Sequence, residues 1–195
     1  MWDRIRPVTA AAGDPITLAE AKAHLRVDAS DEDDLIARLI GAAVAKVEGP
    51  KGLGVAVMER QWALSLHAFP RSIMLPLGPV TAVNAIAYLD VSGAQQTLAS
   101  GDYHVDLDGE PAEIEPAFGK SWPATRNRRG AVTVTFTAGF PDAASVPDDL
   151  KTALLMTVAH LYENREIVNV GGSVTEIPDT AKAILERYRA GRFGA

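Results

Sequence analysis

The chain has 195 residues, 47% of them hydrophobic and 23% charged, with a net charge of −6 at pH 7 and no cysteine. That length can bury a sizeable core, and the absence of cysteine excludes disulfides and thiolate chemistry. The acidic balance excludes a surface that binds nucleic acid all over, leaving only local basic patches.

No uninterrupted apolar run is long enough to cross a bilayer, and the opening MWDRIRPVTAAAGD lacks the apolar centre of a secretory signal. The expectation is a chain assembled in the cytoplasm without a membrane partner.

An extended lead containing Pro7 comes first. Thr17-Leu-Ala-Glu20 then has the form of a capping box, in which each side chain satisfies a backbone donor of the first helical turn. A short helix runs from there to about Arg26, with Leu18, Ala21 and Leu25 on its apolar side. Val27-Asp28-Ala29-Ser30 breaks it and suits the cap of a second helix. Asp31 to Asp34 load the positive end of that helix. Ile36, Leu39, Ile40, Ala43 and Val47 give it a broad apolar surface, and Glu48-Gly49-Pro50 ends it.

Beyond the Gly49 to Gly54 turn the period changes from helical to alternating. Trp62, Leu64 and Leu66 face one way and Ala63, Ser65 and His67 the other, which is a strand pattern. Residues Ser72–Leu77, Val80–Leu89, Tyr103–Leu107 and Ala131–Thr137 read as further strands, with a turn at Ser92-Gly93. Short strands joined by turns imply an antiparallel sheet rather than βαβ units. Trp122 to Gly130 reads as an irregular basic loop.

Val146 to Glu166 is the stretch around which the rest is organised. Pro147 suits a first helical turn, Asp148 and Asp149 complement the helix dipole, and Leu150, Leu154, Val158, Leu161 and Tyr162 recur at steps of three and four. Ala153, Leu155 and Met156 widen that face, so this helix should pack on two sides at the centre of a bundle. A Gly-containing loop over Val168–Ile177 leads to a last helix from Pro178, and residues 191–195 should fray unless a partner holds them.

The fold expected is therefore α+β: a small bundle of four helices with an antiparallel β-sheet insertion between helices two and three. It forms one domain over 1–195, with a helical module at 15–49 plus 146–190, a β-rich insertion at 55–140 and a C-terminal tail at 191–195.

Signs of chemistry are weak. His160 and Glu163 stand three apart on one helix, a spacing used in carboxylate-bridged metal sites, but the further ligands such a site needs are missing. Asp106, Asp108, Gly109 and Glu115 match parts of a calcium loop, but His104 replaces the carboxylate at its first position, so a hairpin turn is the better reading. Gly119-Lys120-Ser121 has Ile114 where a phosphate loop needs its first glycine, and Ser65, His67 and Asp90 lack a nucleophile elbow. No catalytic, cofactor or metal residue is assigned. The runner-up is a small metal-dependent hydrolase using the His160/Glu163 face.

Taken in order, Pro15-Ile-Thr-Leu-Ala-Glu-Ala-Lys-Ala-His-Leu-Arg-Val-Asp28, Asp33-Asp-Leu-Ile36, Trp62, Leu75-Pro-Leu-Gly-Pro-Val80, Tyr88-Leu-Asp90 and His160-Leu-Tyr-Glu-Asn-Arg-Glu166 resemble tailed-phage head-tail connector (adaptor) proteins. The likeness is to the long-insertion subgroup, also found in prophages and gene transfer agents.

The resemblance implies a structural, non-enzymatic subunit in the neck of a virion or phage-like particle. A dodecameric ring would attach to the portal protein, extend the DNA channel and dock the next neck or tail component. A neighbouring neck or tail-completion protein is a further alternative. The resemblance assigns portal binding to the C-terminal segment, within which Arg187, Arg189, Arg192 and Phe193 are the side chains of interest, because a segment bearing arginine and an aromatic can order against a partner. Arg126, Arg128 and Arg129 form the densest basic cluster, placed either at the DNA channel, with transient non-specific contact, or between subunits.

Overall fold

The structure, a computed structural model, describes residues 4–49, 52, 54–109, 111–164 and 178–188. In chain order the strands are β1 (Ile5–Pro7), β2 (Arg60–Leu66), β3 (Ile73–Met74), β4 (Val80–Leu89), β5 (Gln95–Thr97), β6 (Tyr103–Asp106), β7 (Glu113–Pro116) and β8 (Val132–Ala138). The helices are α1 (Leu18–Leu25), α2 (Asp33–Val47), α3 (Asp148–Glu163) and α4 (Asp179–Leu185), the last continued by a 3-10 turn over Glu186–Tyr188.

The capping box forms as the sequence predicts. The Thr17 hydroxyl accepts the Glu20 amide at 3.1 Å, and the Glu20 carboxylate accepts the Thr17 amide at 2.6 Å. α1 closes at Arg26, in the left-handed conformation with φ 59°. The second helix starts later than expected. Ser30 does not cap it; the Ser30 carbonyl accepts the Asp33 amide at 3.2 Å, a turn intervenes, and Glu32 is the cap residue, its carboxylate accepting from the Tyr162 hydroxyl instead of from the first-turn amides. Asp33 and Asp34 still place charge at the positive end of the dipole.

α2 buries Ile36, Ile40, Ala43 and Val47, a stripe at helical spacing, and α3 buries Leu150, Ala153, Leu154, Thr157 and Val158. The Thr157 hydroxyl is satisfied inside this core by the Ala153 carbonyl at 2.8 Å. α3 lies between α2 and α4 and also meets α1, the central position its wide apolar surface predicts.

The strands form two antiparallel sheets, one of order β1-β2-β8-β4-β5 and a smaller one of order β3-β7-β6. β2 and β8 pair without a break from Arg60 opposite Ala138 to Leu66 opposite Val132. Along β8, Val132, Val134, Phe136 and Ala138 point into the core while Thr133, Thr135 and Thr137 face out. β4 shifts register twice against β8, near Val80/Ala82 and Val83/Ala85, and only Ile86 of its side chains is fully buried.

Three features depart from the expected elements. The N-terminal lead is strand β1, an edge strand on β2, so the larger sheet draws on residues before α1 as well as on the insertion between α2 and α3. The 72–77 stretch contributes only the two-residue β3, with Leu75 and Leu77 buried beyond it. β5 and β7 were not foreseen, because Gln95-Gln-Thr97 is wholly exposed and Glu113-Ile-Glu-Pro116 buries only Ile114. Neither carries an alternating apolar pattern.

Helices and sheets keep separate cores, joined by residues 55–59. Val55, Val57 and Met58 belong to the helical core and Ala56 to the sheet core, so the segment serves both sides. Its backbone is tied in as well: the Ala56 amide donates to the Gly78 carbonyl at 3.0 Å and the Glu59 amide to Phe140 at 2.8 Å. Gly139 crosses beside it with φ +116°, and a Cβ there would lie 2.5 Å from the Met58 carbonyl. Only glycine fits this crossing without strain.

An ion pair spans the same junction. Glu48, which ends α2, meets Arg60, which opens β2, at 2.7 Å, and Arg60 lies over the Trp62 ring at 5.4 Å. Burial raises the Glu48 pKa, opposed by Arg60 and by the Val57 and Met58 amides.

Candidate interaction surfaces

The end of α4 is fastened to the start of α3. Arg187 pairs with one oxygen of Asp149, and the Tyr188 hydroxyl donates to the other. The Tyr188 bond chiefly, helped by the Leu150 amide and Arg187, lowers the Asp149 pKa. Burial first and Asp149 second push Tyr188 up to about 12. Of the predicted portal-facing side chains, Arg187 is thus exposed but engaged within the subunit. Arg189, Arg192 and Phe193 lie outside the described residues, as does the 168–177 loop.

Arg187 and Tyr188 also border a cleft of about 470 Å³ between the helices and the sheets. Its other walls are apolar or glycine, including Leu75, Leu77, Val80, Leu107 and Phe140. Such a lining can hold an apolar group and, among the described residues, presents no converging acids or imidazoles.

The basic loop is held in a defined place. Trp122 stacks on Phe69 with ring centres 4.8 Å apart and donates its indole N–H to the Arg71 carbonyl at 3.2 Å. Further along, the Arg126 amide donates to Leu89 at 3.0 Å. The three arginines then diverge in role. Arg126 lies against Gly93 in the β4–β5 turn, where an added Cβ would come within 2.3 Å of its guanidinium. Arg128 is exposed, and Arg129 reaches the other side, lining a groove with Arg4 and Arg6 of the N-terminal segment. Sequence reading missed Arg4 and Arg6 because their segment carried no strand pattern; the only available sign was Arg-x-Arg around the apolar Ile5.

The weak signs of chemistry resolve into local structure. Asp106 accepts the amides of Asp108 at 3.0 Å and Gly109 at 3.3 Å, organising the turn that leads from β6 to β7. Asp90 is occupied by Ser92, Ala94 and Gln96, and the side-chain bonds from Ser92 and Gln96 lower its pKa to about 2. Lys120 pairs with Asp102 at 3.4 Å. His160 sits in the last turn of α3, where the Asn164 side chain caps the His160 carbonyl at 2.8 Å. Among the described residues no three of His, Asp and Glu gather to hold a metal, and no helix is long and apolar enough to cross a membrane.

A four-helix module bearing an antiparallel insertion is the class the geometry defines. The sequence matches the head completion protein family over residues 15–190, and the chain belongs to that family. No curated protein matches it.

Solved structures do. It is similar to a chain in the virion of a native gene transfer agent particle, at 27% identity and TM-score 0.75. It also resembles chains in the neck of an empty particle computed with C6 symmetry, at 29% and 0.76, and in the neck of a native particle computed with C12 symmetry, at 26% and 0.70. Each likeness covers 98% of this chain and 97% of the other. The resemblance to head-tail connectors read from the sequence agrees with both findings.

Proposed function

We propose that the chain is a non-enzymatic subunit of a neck ring in a phage-like particle, joining the portal to the tail and extending the DNA channel. The observation that carries this reading is end-to-end similarity to neck chains of particles analysed with sixfold and twelvefold symmetry. A closed ring needs a heterologous joint, in which one face of each subunit meets a different face of the next. Weak joints suffice, since every subunit holds two neighbours and a portal raises their local concentration.

In this reading a dodecamer forms on the portal. The segment from Pro178 onward engages the portal, with Arg189, Arg192 and Phe193 as its contacts. The fastening of Arg187 and Tyr188 to Asp149 would fix where that segment leaves the bundle. The next neck or tail component docks on the far side, and assembly takes place in the cytoplasm before the particle is complete.

Sedimentation of purified chain with portal rings, followed by electron microscopy, tests the proposal. Rings on the portal are expected, and truncation after Tyr188 should abolish them. Absence of binding across a range of salt would refute the reading.

A further inference from the structure

The groove that joins Arg129 to the N-terminal strand has a composition at odds with the rest of the molecule. In a chain of net charge −6, a concavity of about 570 Å³ is lined, among the described residues, by Arg4, Ile5, Arg6, Ser65, Arg129 and Gly130, none of them a carboxylate. None of the three guanidinium groups pairs with a carboxylate of another described residue. Like charges gathered in one concavity repel one another and raise the local concentration of anions.

The fold holds these groups in place. Ile5 is buried against the sheet core opposite Leu64, which turns Arg6 to the opposite face of β1, and Arg4 stands just before the strand. That face is floored by small side chains: Arg6 lies opposite Ala63, and Ser65 lies opposite Thr133 on the next strand. Arg129 is delivered from far along the chain by a turn in which the Ala131 amide donates to Arg128 at 3.3 Å and Gly130 takes φ +72°. Three cations from two distant segments thus share one wall-and-floor arrangement.

We infer that this groove binds the phosphodiester backbone of double-stranded DNA. Guanidinium is planar and carries paired donors that match phosphate oxygens, and the Ser65 hydroxyl can add another donor. Arg6 stands on β1 and Arg4 just before it, so two residues of chain hold their Cα atoms no more than about 7 Å apart. Two long side chains rooted that close together can reach neighbouring phosphates of one nucleic acid strand. A single oxyanion would leave most of the groove empty, whereas a run of phosphates meets all three arginines. Contact with backbone alone carries no sequence preference and is weak. The inference rests on the proposed neck role, for which it names the surface that faces DNA.

The test is fluorescence anisotropy of a short labelled duplex of arbitrary sequence with the purified full chain, titrated at several salt concentrations. Neutralising three phosphates predicts a slope of log K against log salt of about −2.7. Arg4→Gln, Arg6→Gln and Arg129→Gln should each reduce that slope by about 1. The triple variant should bind at least tenfold more weakly while melting like the parent. A charge-matched control, Arg26→Gln with Arg38→Gln and Arg71→Gln, should bind like the parent.

No binding by the parent at low salt, or equal loss in the control, would overturn the inference. So would full displacement by inorganic phosphate at constant ionic strength, which would mark a site for one small anion. Portal sedimentation of the same proteins separates the two readings. A triple variant that assembles but loses DNA supports the groove, and one that fails to assemble but keeps DNA binding overturns it. A parent that assembles without binding DNA leaves the neck role standing alone. A parent that binds DNA through these arginines but never assembles leaves the groove alone.

Discussion

Replacing Arg60 by methionine removes one half of the charge pair that ties α2 to β2. The Arg60 and Glu48 side chains are 17% and 10% exposed, and the second Glu48 oxygen has no hydrogen-bond partner of normal geometry. Removing the cation leaves a buried carboxylate that neither water nor a neighbour neutralises, a change that costs about 3–5 kcal/mol.

The loss depends on pH in a defined direction. Burial already holds the Glu48 pKa above its ordinary 4.5, and without Arg60 it rises further. A carboxyl whose folded pKa is raised binds its proton more tightly in the native state. The variant is therefore least impaired below pH 4.5 and loses stability as pH climbs through the folded value. Urea unfolding followed by tryptophan fluorescence reads this directly, since Trp62 lies under Arg60. Adding Glu48→Leu should restore most of the loss. A deficit under about 0.5 kcal/mol at pH 8, which is the scatter of ordinary surface changes, would refute the reasoning. So would a deficit that ignores pH, or a double variant no better than the single.

Gly139→Ala should cost roughly 3 kcal/mol or more in urea unfolding, since it adds backbone strain at φ +116° to a 2.5 Å overlap with Met58; a loss below about 1 kcal/mol would contradict the crossing. Leu154→Ala removes a fully buried side chain between the helices and should cost about 2–5 kcal/mol by the same assay. The Asp149–Tyr188 contact should weaken at both pH extremes, because the lowered Asp149 pKa gives stability that disappears as pH falls through it, and the raised Tyr188 pKa gives stability lost as pH rises from 10 through about 12. Proteolysis near Tyr188 should quicken at both ends, and Asp149→Asn should remove the acid limb and shrink the alkaline one, which burial of Tyr188 then carries by itself. Phe118→Ser, at a fully exposed loop residue, should leave the melting midpoint unchanged within the effect of about 0.5 kcal/mol.

Periodicity carried most of the architecture. α3 was readable from Pro147, the two aspartates and a wide apolar surface, and the capping box marked α1 to within a residue. β2, β4 and β8 were readable because buried and exposed positions alternate or run apolar. The strands that escaped are those stabilised by neighbours rather than by their own pattern. β5 is all polar, β7 has one buried residue, and β1 has only Ile5 to mark it. The basic loop was visible as a charge run, but its division was not. That Arg126 turns to Gly93 while Arg129 joins Arg4 and Arg6 depends on a pairing between residues about sixty positions apart, Ile5 with Leu64, which local sequence does not encode.

The interleaving of the two modules along the chain sets an order on synthesis. β1 leaves the ribosome first but waits for β2, whose far side waits for β8, while the apolar stripe of α2 waits for α3. At about 5–20 residues per second, the gap between α2 and α3 lasts on the order of ten seconds. Through that interval the early helices are open to chaperones and to mispairing with other nascent chains. Neither half can mature until β8 and α3 have both emerged, so the two modules complete their cores at nearly the same moment.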